Sequence, residues 1–267
     1  MRRNLNMADN ACGIVDVVDF EVQDFVTRDL LFSVDYATSV SFSTSAESLD
    51  IRGGIGMPVR ITTHHTREAN FTSELPLIDI NVLGVMLGKK VATSSITAPK
   101  SERLLVDATS GKASISETPL TNTLKVYLLA DNGRSELKVG DPTTKEDEYS
   151  INGKEITLNT ALKGKYIKAI YDYTADTGTQ MVRLTAKDFP GYCRITGTGY
   201  RLDESGGKHP VSFIAHRFKP DPNFEITFAG GTATNITFSG KLSPNLVDNE
   251  EVYFDLIYLS ADDGGES

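Results

Sequence analysis

The stretch FSVDYATSVSFSTS, residues 32–45, decides the fold class of this 267-residue chain. Large or β-branched side chains alternate along it with small polar ones, and this two-residue period predicts a β-strand with one packed face and one wet face. The predicted strand is longer than the usual length of about five or six residues, which favours a wall over a pocket. The polar side chains that we expect on its wet face are Ser33, Asp35, Ser39, Ser41 and Ser43.

A glycine-rich turn follows this strand and separates it from a second one. The segment IRGGIGMP, residues 51–58, breaks regular structure through glycine and proline. Residues 59–66 then alternate again, so the two strands predict a long hairpin that projects from the body of the protein. The tip of this hairpin contains Arg52, Gly53, Gly54, Gly56 and Met57.

A single helix is predicted over about residues 75–88. Ser73 is a suitable N-cap, Pro76 is tolerated in a first turn, and Asp79 would lie near the positive end of the helix dipole. Gly88 is typical of a helix C-terminus. The apolar stripe of this helix would be Leu75, Ile78, Val82, Val85 and Met86. Since further apolar residues widen the stripe, we expect the helix to be covered on more than one side.

The rest of the chain reads as strands and turns. Residues 111–175, with two Asn-Gly turn signals, predict a β subregion inserted into a larger β domain formed by residues 1–110 and 176–267. The last third predicts a meander. Its strands are expected at residues 181–187, 193–200, 211–218, 224–229, 236–242 and 252–259.

Composition and charge narrow the function classes. The formal net charge is −9, which argues against a protein that grips nucleic acid through clustered lysine and arginine. An acidic surface remains compatible with nucleic acid that slides past, because it repels phosphate. Cys12 and Cys193 lack metal-ligand spacing and are best interpreted as two free thiols, with a disulfide left open. No signal peptide and no apolar membrane span are found, which predicts a soluble protein made inside the cell.

Motifs for chemistry do not emerge from the sequence, which predicts neither an enzyme nor a bound cofactor or metal. The glycine-rich turn lies between strands, whereas a phosphate-binding loop leads into a helix. His64 and His65 are adjacent on a predicted strand and point to opposite faces, so they cannot chelate one ion together. Tyr166, Tyr171 and Tyr173 leave a carbohydrate- or partner-binding face open, although ordinary sheet packing explains them as well.

The order of these elements resembles the tail tube, or major tail, proteins of bacteriophages. The residues that carry the resemblance are the strand ending VSF at 40–42, the loop GGIG at 53–56, and the segment FTSELPLIDINVLG at 71–84. Further matches are KDFP at 187–190, GTG at 197–199, the closing strands at 224–259, and NGKEITL at 152–158, which is similar to virion structural sequence.

The resemblance implies two packed antiparallel β-sheets, as a sandwich or barrel, with one flanking α-helix. It further implies homohexameric rings that stack into a tube of the virion tail and conduct DNA from capsid to host during ejection. The serine-rich face would line the channel, the hairpin tip would contact the next ring, and the helix would be buried between sheet and neighbour. Partners would be further copies, other tail proteins and a possible sheath, with synthesis in the host bacterial cytoplasm.

Two alternatives accompany this interpretation. A carbohydrate- or receptor-binding β module of a virion or cell surface would share the β-rich composition, and would form a discrete monomer or trimer. A ring-forming distributor or tail-terminator protein would resemble a tube protein in sequence. Contractile and non-contractile tails are not distinguished.

Overall fold

A computed structural model of the protein divides the chain into two compact units, each with its own hydrophobic core. Residues 12–14, 19–94, 96–130, 133–204, 206–227 and 235–259 are described. The first unit comprises Met1–Val91 and Val182–Ser267, and the second comprises Ala92–Met181. The insertion predicted at residues 111–175 lies within the second unit.

The first unit is built from antiparallel strands and a single α-helix among its described residues. Its strands are β1 (Cys12–Ile14), β2 (Asp19–Asp24), β3 (Leu30–Val34), β4 (Ser39–Arg52), β5 (Val59–Leu75), β13 (Cys193–Asp203), β14 (Lys208–Pro220), β15 (Ile236–Leu242), β16 (Asn245–Val247), β17 (Glu250–Val252) and β18 (Phe254–Tyr258), and its helix is α1 (Ile80–Met86). The main sheet has the order β3-β2-β13-β14-β15-β5-β4, with β1 added to β13 and β18 to β14.

The second unit forms a seven-stranded sheet of its own. Its strands are β6 (Thr97–Leu105), β7 (Lys112–Ser114), β8 (Lys125–Ala130), β9 (Gly133–Val139), β10 (Glu148–Asn152), β11 (Glu155–Leu158) and β12 (Tyr166–Thr174), with a 3-10 turn at Thr160–Leu162. All neighbours are antiparallel except β9 and β10. The prediction of a mostly β protein with one α-helix and two sheets is confirmed.

Phe71 lies at the centre of the first core. Its ring is fully buried and meets five other phenylalanine rings at centroid distances of 5.2 to 6.3 Å. The partner rings are Phe20, Phe42, Phe213, Phe218 and Phe238. Because β2 and β5 are not neighbours in the ladder, the contact between Phe20 and Phe71 shows that the sheet curls over on itself.

The prediction of one continuous strand over residues 32–45 is wrong. The chain leaves β3 after Val34 and begins β4 at Ser39, and these strands lie at opposite ends of the sheet order. In the connection, Ala37 is buried, and Thr38 donates its backbone N–H to Glu74 O at 2.9 Å. The alternating pattern therefore continues through a change of ladder partner, which local periodicity does not reveal.

The helix begins later than its sequence signals indicate. Asp79, and not Ser73, is the N-cap, and its side chain accepts a hydrogen bond from Asn81 N at 2.7 Å. Ser73 and Leu75 belong to β5, where they pair with Phe238 and Ile236 of β15. Strand pairing with a distant segment thus outcompetes a locally plausible helix start. Of the predicted stripe, Val82 and Met86 are buried and Val85 half-buried on α1, Leu75 is buried on β5, and Ile78 is exposed before the helix.

Two further strand predictions fail in the first unit. Residues 182–187 form no strand, and there Thr185 and Lys89 bind the carboxylate of Asp188, the lysine at 2.6 Å. Residues 224–227 also lack strand structure, although Phe224 packs against the core as an alternating pattern would suggest. The rest of that predicted strand, residues 228 and 229, lies outside the described residues.

The chain crosses into and out of the second unit at adjacent backbone positions. Ala92 and Met181 form an antiparallel bridge, with an N–H to O distance of 2.9 Å in each direction. The insertion therefore starts and ends side by side.

A carboxylate links the first and last strands of the second sheet. Glu102 on β6 accepts hydrogen bonds from the hydroxyl and N–H of Ser116, just after β7, and from the Tyr171 hydroxyl at 2.9 Å. Burial on its own raises the pKa of Glu102, but the Ser116 and Tyr171 hydrogen bonds outweigh it and hold that pKa below its usual value. Glu102 therefore stabilises the folded unit in its charged form.

We predict that E102Q lowers the stability of the second unit at neutral pH by about 1 kcal/mol, because charge-assisted hydrogen bonds become neutral ones. Since the folded pKa is depressed, the Glu102 contribution is complete above the unfolded value of 4.5 and disappears as pH falls through the lower folded value. Urea unfolding followed by circular dichroism at neutral and acidic pH measures both effects.

The matched control is E136Q, because Glu136 is half-exposed and contacts only Lys125 at 3.1 Å in an ion pair. We expect it to leave stability within about 0.5 kcal/mol of wild type. Equal losses for the two variants would contradict the role assigned to Glu102.

Candidate assembly surfaces

The outer part of the β4–β5 hairpin has no core of its own. Residues 44–68, which we call the arm, are exposed throughout except for the half-buried Gly53. The arm nevertheless carries large apolar side chains. Leu49, Ile51 and Ile61 are each at least half exposed, and Ile55 at the tip is fully exposed. Contiguous apolar surface of this kind on a soluble protein marks an interaction site.

The apolar side of the hairpin changes faces between the body and the arm. In the body, Val40 and Phe42 of β4 point to the core, and the serines between them point outward. In the arm, Leu49 and Ile51 follow those serines on the outward face of β4, where Ile51 pairs with Ile61 of β5. The opposite face of the arm is polar.

A bulge in β5 keeps the two strands in register across this change. The ladder shifts by one residue between Ala46 and Glu47, and Thr66 takes a left-handed φ of 52°. On the polar face beyond the bulge, Thr62 Oγ1 donates to Asp50 Oδ1 at 2.8 Å. The apolar face of the arm therefore lies on the same side of β4 as the solvent-exposed face of that strand in the body.

The tip is a compact turn that gathers the five residues predicted for it. Gly54 and Gly56 adopt left-handed φ values of 89° and 83°, a conformation that favours glycine. Arg60 donates from Nε to Gly53 O at 3.0 Å, and Arg52 contacts Asp50 at 3.3 Å. These contacts fix the base of the turn and leave Ile55 pointing away from the chain.

The five polar residues predicted for one face are divided between two surfaces. Ser39, Ser41 and Ser43 lie exposed on one face of β4. Ser33 lies on β3, and Asp35 follows that strand. Ser33 and Asp35 border an open cavity of about 490 Å³ that is also lined by Asp19, Glu21, Thr196 and Thr198.

Ser43 borders a different groove, of about 550 Å³. Two lysines that the sequence did not suggest, Lys219 on β14 and Lys241 on β15, face each other across the ladder there. Its other lining residues include the polar Asn70, Thr72 and Ser239 and the prolines Pro220 and Pro222. No local pattern indicates these lysines, because the two strands that carry them meet only through the ladder.

The aromatic face that would favour carbohydrate binding does not form. Tyr166 is exposed on β12, with the Arg103 guanidinium 4.3 Å from its ring centre. Tyr171 is buried on the other face of the strand and bonds Glu102, and Tyr173 is half-buried beside it. The three rings therefore do not present one surface.

Metal and thiol chemistry find little support in the described part of the chain. His64 and His65 pair with different residues on opposite faces of the arm, and no group of three or more possible ligands occurs among the described residues. Cys12 and Cys193 are free thiols. Burial, followed by the nearby charge of Asp24, raises the pKa of Cys193 to about 12, so its thiol stays protonated. Within the described ranges, no helix has the length and apolar character needed to cross a membrane.

A comparison with protein families finds a match over most of the chain. The YomU/Tube protein family matches residues 12–254. The chain belongs to this family. The prediction of a bacteriophage tail tube protein is thereby confirmed at the level of family, and the chain is a structural component of a phage tail. No curated protein matches it significantly.

In this tail tube family member, the change of faces predicts that Phe42 stabilises the first unit and that Ile51 does not. F42A should destabilise the first unit by about 3 kcal/mol, because the Phe42 ring packs 4.8 to 5.2 Å from Phe71, Phe213 and Phe254. The matched substitution I51A should change stability by less than about 0.5 kcal/mol, because Ile51 has no core contact in the single chain. Urea denaturation of both variants measures the difference, and a large loss for I51A would contradict the exposed face of the arm.

Proposed function

We propose that the protein forms homohexameric rings that stack into the tail tube and conduct DNA from the capsid to the host. The observation that carries this proposal is the arm, whose apolar face is left uncovered by the part of the chain that the structure describes. An apolar edge ribbon left open in solution would aggregate, and closed pairing between subunits removes that hazard. Cyclic closure followed by head-to-tail stacking produces a tube.

We assign the wall of the channel to Ser39, Ser41 and Ser43. Their hydroxyls are exposed on one strand face, and the Ser41 hydroxyl donates only a long hydrogen bond, 3.4 Å, to Thr72 O. These small hydroxyl side chains keep the wall hydrated and carry no positive charge of their own that would hold phosphate, and the two lysines of the groove beside Ser43 belong to β14 and β15. Ser33 and Asp35, which the sequence grouped with them, border the separate acidic cavity.

The tip and the helix complete the proposed assembly. The exposed tip, residues 52–57, would contact the adjoining ring. Helix α1 already covers its own core through Val82 and Met86, and the exposed Leu77 and Ile78 before it would pack against a neighbouring subunit. Other tail proteins, and a sheath where the tail contracts, would bind the outside of the tube, and the subunit would be made in the host cytoplasm before assembly.

Electron microscopy and light scattering of the purified protein test the assembly. We expect rings or tubes from the wild type, and loss of both in L49S/I51S/I61S, because the apolar face of the arm becomes polar. The control S48A/T62A/H64A changes the opposite face of the same arm and should assemble. A stable monomer that binds glycan would contradict the proposal and favour a receptor-binding module.

Phage particles assembled with S39K/S41K subunits test the channel wall. Added lysines would hold phosphate in the channel, so DNA delivery should fall by roughly tenfold or more, while the tubes remain intact by microscopy. The control S110K/S135K places lysines on exposed positions of the second unit and should deliver DNA normally. Unchanged delivery from intact S39K/S41K tails would remove these serines from the wall.

A further inference from the structure

Three cationic side chains lie against two aromatic rings at one end of the main sheet, and a fourth is at the same end of β13. The Arg217 guanidinium lies 4.1 Å from the Tyr192 ring centre and 5.6 Å from that of Phe25, and Lys219 Nζ is 5.4 Å from Tyr192. Arg28 lies 5.7 Å from the Phe25 ring centre. Arg194, on β13, is the fourth cation. We call this group the cationic cluster.

The cluster has no anionic partner among the described residues. No ion pair there joins Arg28, Arg194, Arg217 or Lys219 to a carboxylate, and the buried Arg217 Nε has no hydrogen-bond partner. Burial, followed by the charge of Arg28, lowers the pKa of Arg194. The cations of the cluster repel one another, and this repulsion is relieved when anions approach from outside. Other copies of the chain carry such anions, because its net charge is −9.

Asp24, at this end of β2, is already engaged. Asp24 Oδ1 accepts hydrogen bonds at 2.8 Å from the backbone N–H groups of Val26 and Thr27, which hold the β2–β3 turn. These bonds, that from Thr27 first, lower the pKa of Asp24. Its charge therefore supports the turn and leaves the cluster with excess positive charge.

The other end of the same sheet face is acidic. Along β2, Phe20 and Val22 are buried, so the alternating Asp19, Glu21 and Gln23 share the outer face. Gln23 accepts a hydrogen bond from Arg194 at 3.0 Å and so joins the two ends. Asp19 pairs with Thr198 and Asp24 with Cys193, five residues along the ladder, a separation of about 16 Å.

The acidic end is an open concavity without cations. Asp19, Glu21 and Asp35 line the cavity of about 490 Å³ together with hydroxyl and apolar side chains, and no lysine or arginine is among its described lining residues. No ion pair joins these three carboxylates to a cation within the described residues. One face thus carries an unneutralised positive end and an unneutralised negative end.

We propose that this face is a contact between copies of the chain, in which the cationic cluster of one copy meets the Asp19–Glu21–Asp35 cavity of the next. The two ends are opposite in charge and lie on one surface, so each copy supplies both halves of a heterologous contact, which propagates from copy to copy. The inference rests on the proposed tube for its setting, but the pairing itself is independent of ring formation.

A second copy fits the cluster better than nucleic acid does. Two of the four cations, Arg217 and Lys219, stack on Tyr192, and the basic surface stays confined to this end of the face. The acidic end, about 16 Å away, would repel a duplex laid along it. A compact group of carboxylates fits a basic surface of this extent, and the acidic cavity of a second copy provides such a group.

Charge exchange on the full-length protein tests the pairing. R28E/K219E sets two glutamates against the two remaining arginines and so cancels the positive charge of the cluster, whereas D19K/E21K makes both ends basic. All four side chains are exposed, so the fold should tolerate either change. We expect each variant alone to lose self-association in sedimentation velocity. An equimolar mixture should regain association, because the intact cavity of R28E/K219E meets the intact cluster of D19K/E21K.

Salt and a matched control separate specific pairing from net charge. K138E/K165E, in the second unit, changes the net charge by the same amount as R28E/K219E and should associate as wild type does. Wild-type association should weaken between 0.1 M and 1 M NaCl, as the screening length falls from about 10 Å to about 3 Å.

Four outcomes distinguish the proposed pairing from the proposed tube and from DNA binding. Tubes that survive R28E/K219E would overturn the pairing and leave the tube intact. Salt-sensitive open chains without rings, restored by the charge exchange, would support the pairing and overturn the hexameric tube. Wild-type protein that stops at dimers would show a closed contact and overturn propagation. A fluorescent DNA duplex bound by wild type and released by R28E/K219E would assign the cluster to phosphate instead.

Discussion

The packing of Phe71 against the rings around it connects almost every other feature of the first unit. This residue lies on β5, the strand that pairs with β4 on one side and β15 on the other. Through its aromatic contacts, the base of the hairpin is held by strands from both ends of the chain. A projecting ribbon needs such an anchor, because an isolated two-stranded hairpin is only marginally stable in water.

Because the hairpin is anchored at its base, the apolar residues of the arm are not needed for the core. The first half of β5 contributes nothing to the core, whereas the second half contributes four buried side chains within seven residues, Ala69, Phe71, Ser73 and Leu75. Thr66 marks the division between these halves. Under the proposed function, stability and assembly would therefore be encoded on consecutive segments of one strand.

The sequence predicted the fold class, the hairpin and its tip, because alternation and glycine-proline turns act over short distances. It failed where distant segments compete for the same residues. Ser73 and Asp79 are equally good N-caps by type, and only pairing with Phe238, more than a hundred residues away, decides between them. The serine face was predicted in part, since three of its members share β4, but the jump from β3 to β4 separated the others.

The cationic cluster illustrates the same limit more sharply. Phe25 and Arg28 come from a turn, Tyr192 from a connection, and Arg217 from β14, with no spacing that relates them. The net charge of the chain argued against clustered lysine and arginine, because the excess of acidic residues over the whole chain conceals a local basic site. Only the antiparallel register of β2, β13 and β14 brings these residues to one end of a sheet.

The bridge between Ala92 and Met181 has a thermodynamic consequence for the chain as a whole. The second unit is an insertion in the chain of the first unit, and it begins and ends at neighbouring positions. When it folds, it therefore brings together the two points of the first unit that it connects. Even without that folding, the entropy of closing a loop grows slowly, by about 0.6 kcal/mol for each doubling of its length. The first unit is consequently insensitive to what is inserted at this point, and the site would accept a foreign domain whose termini lie close together.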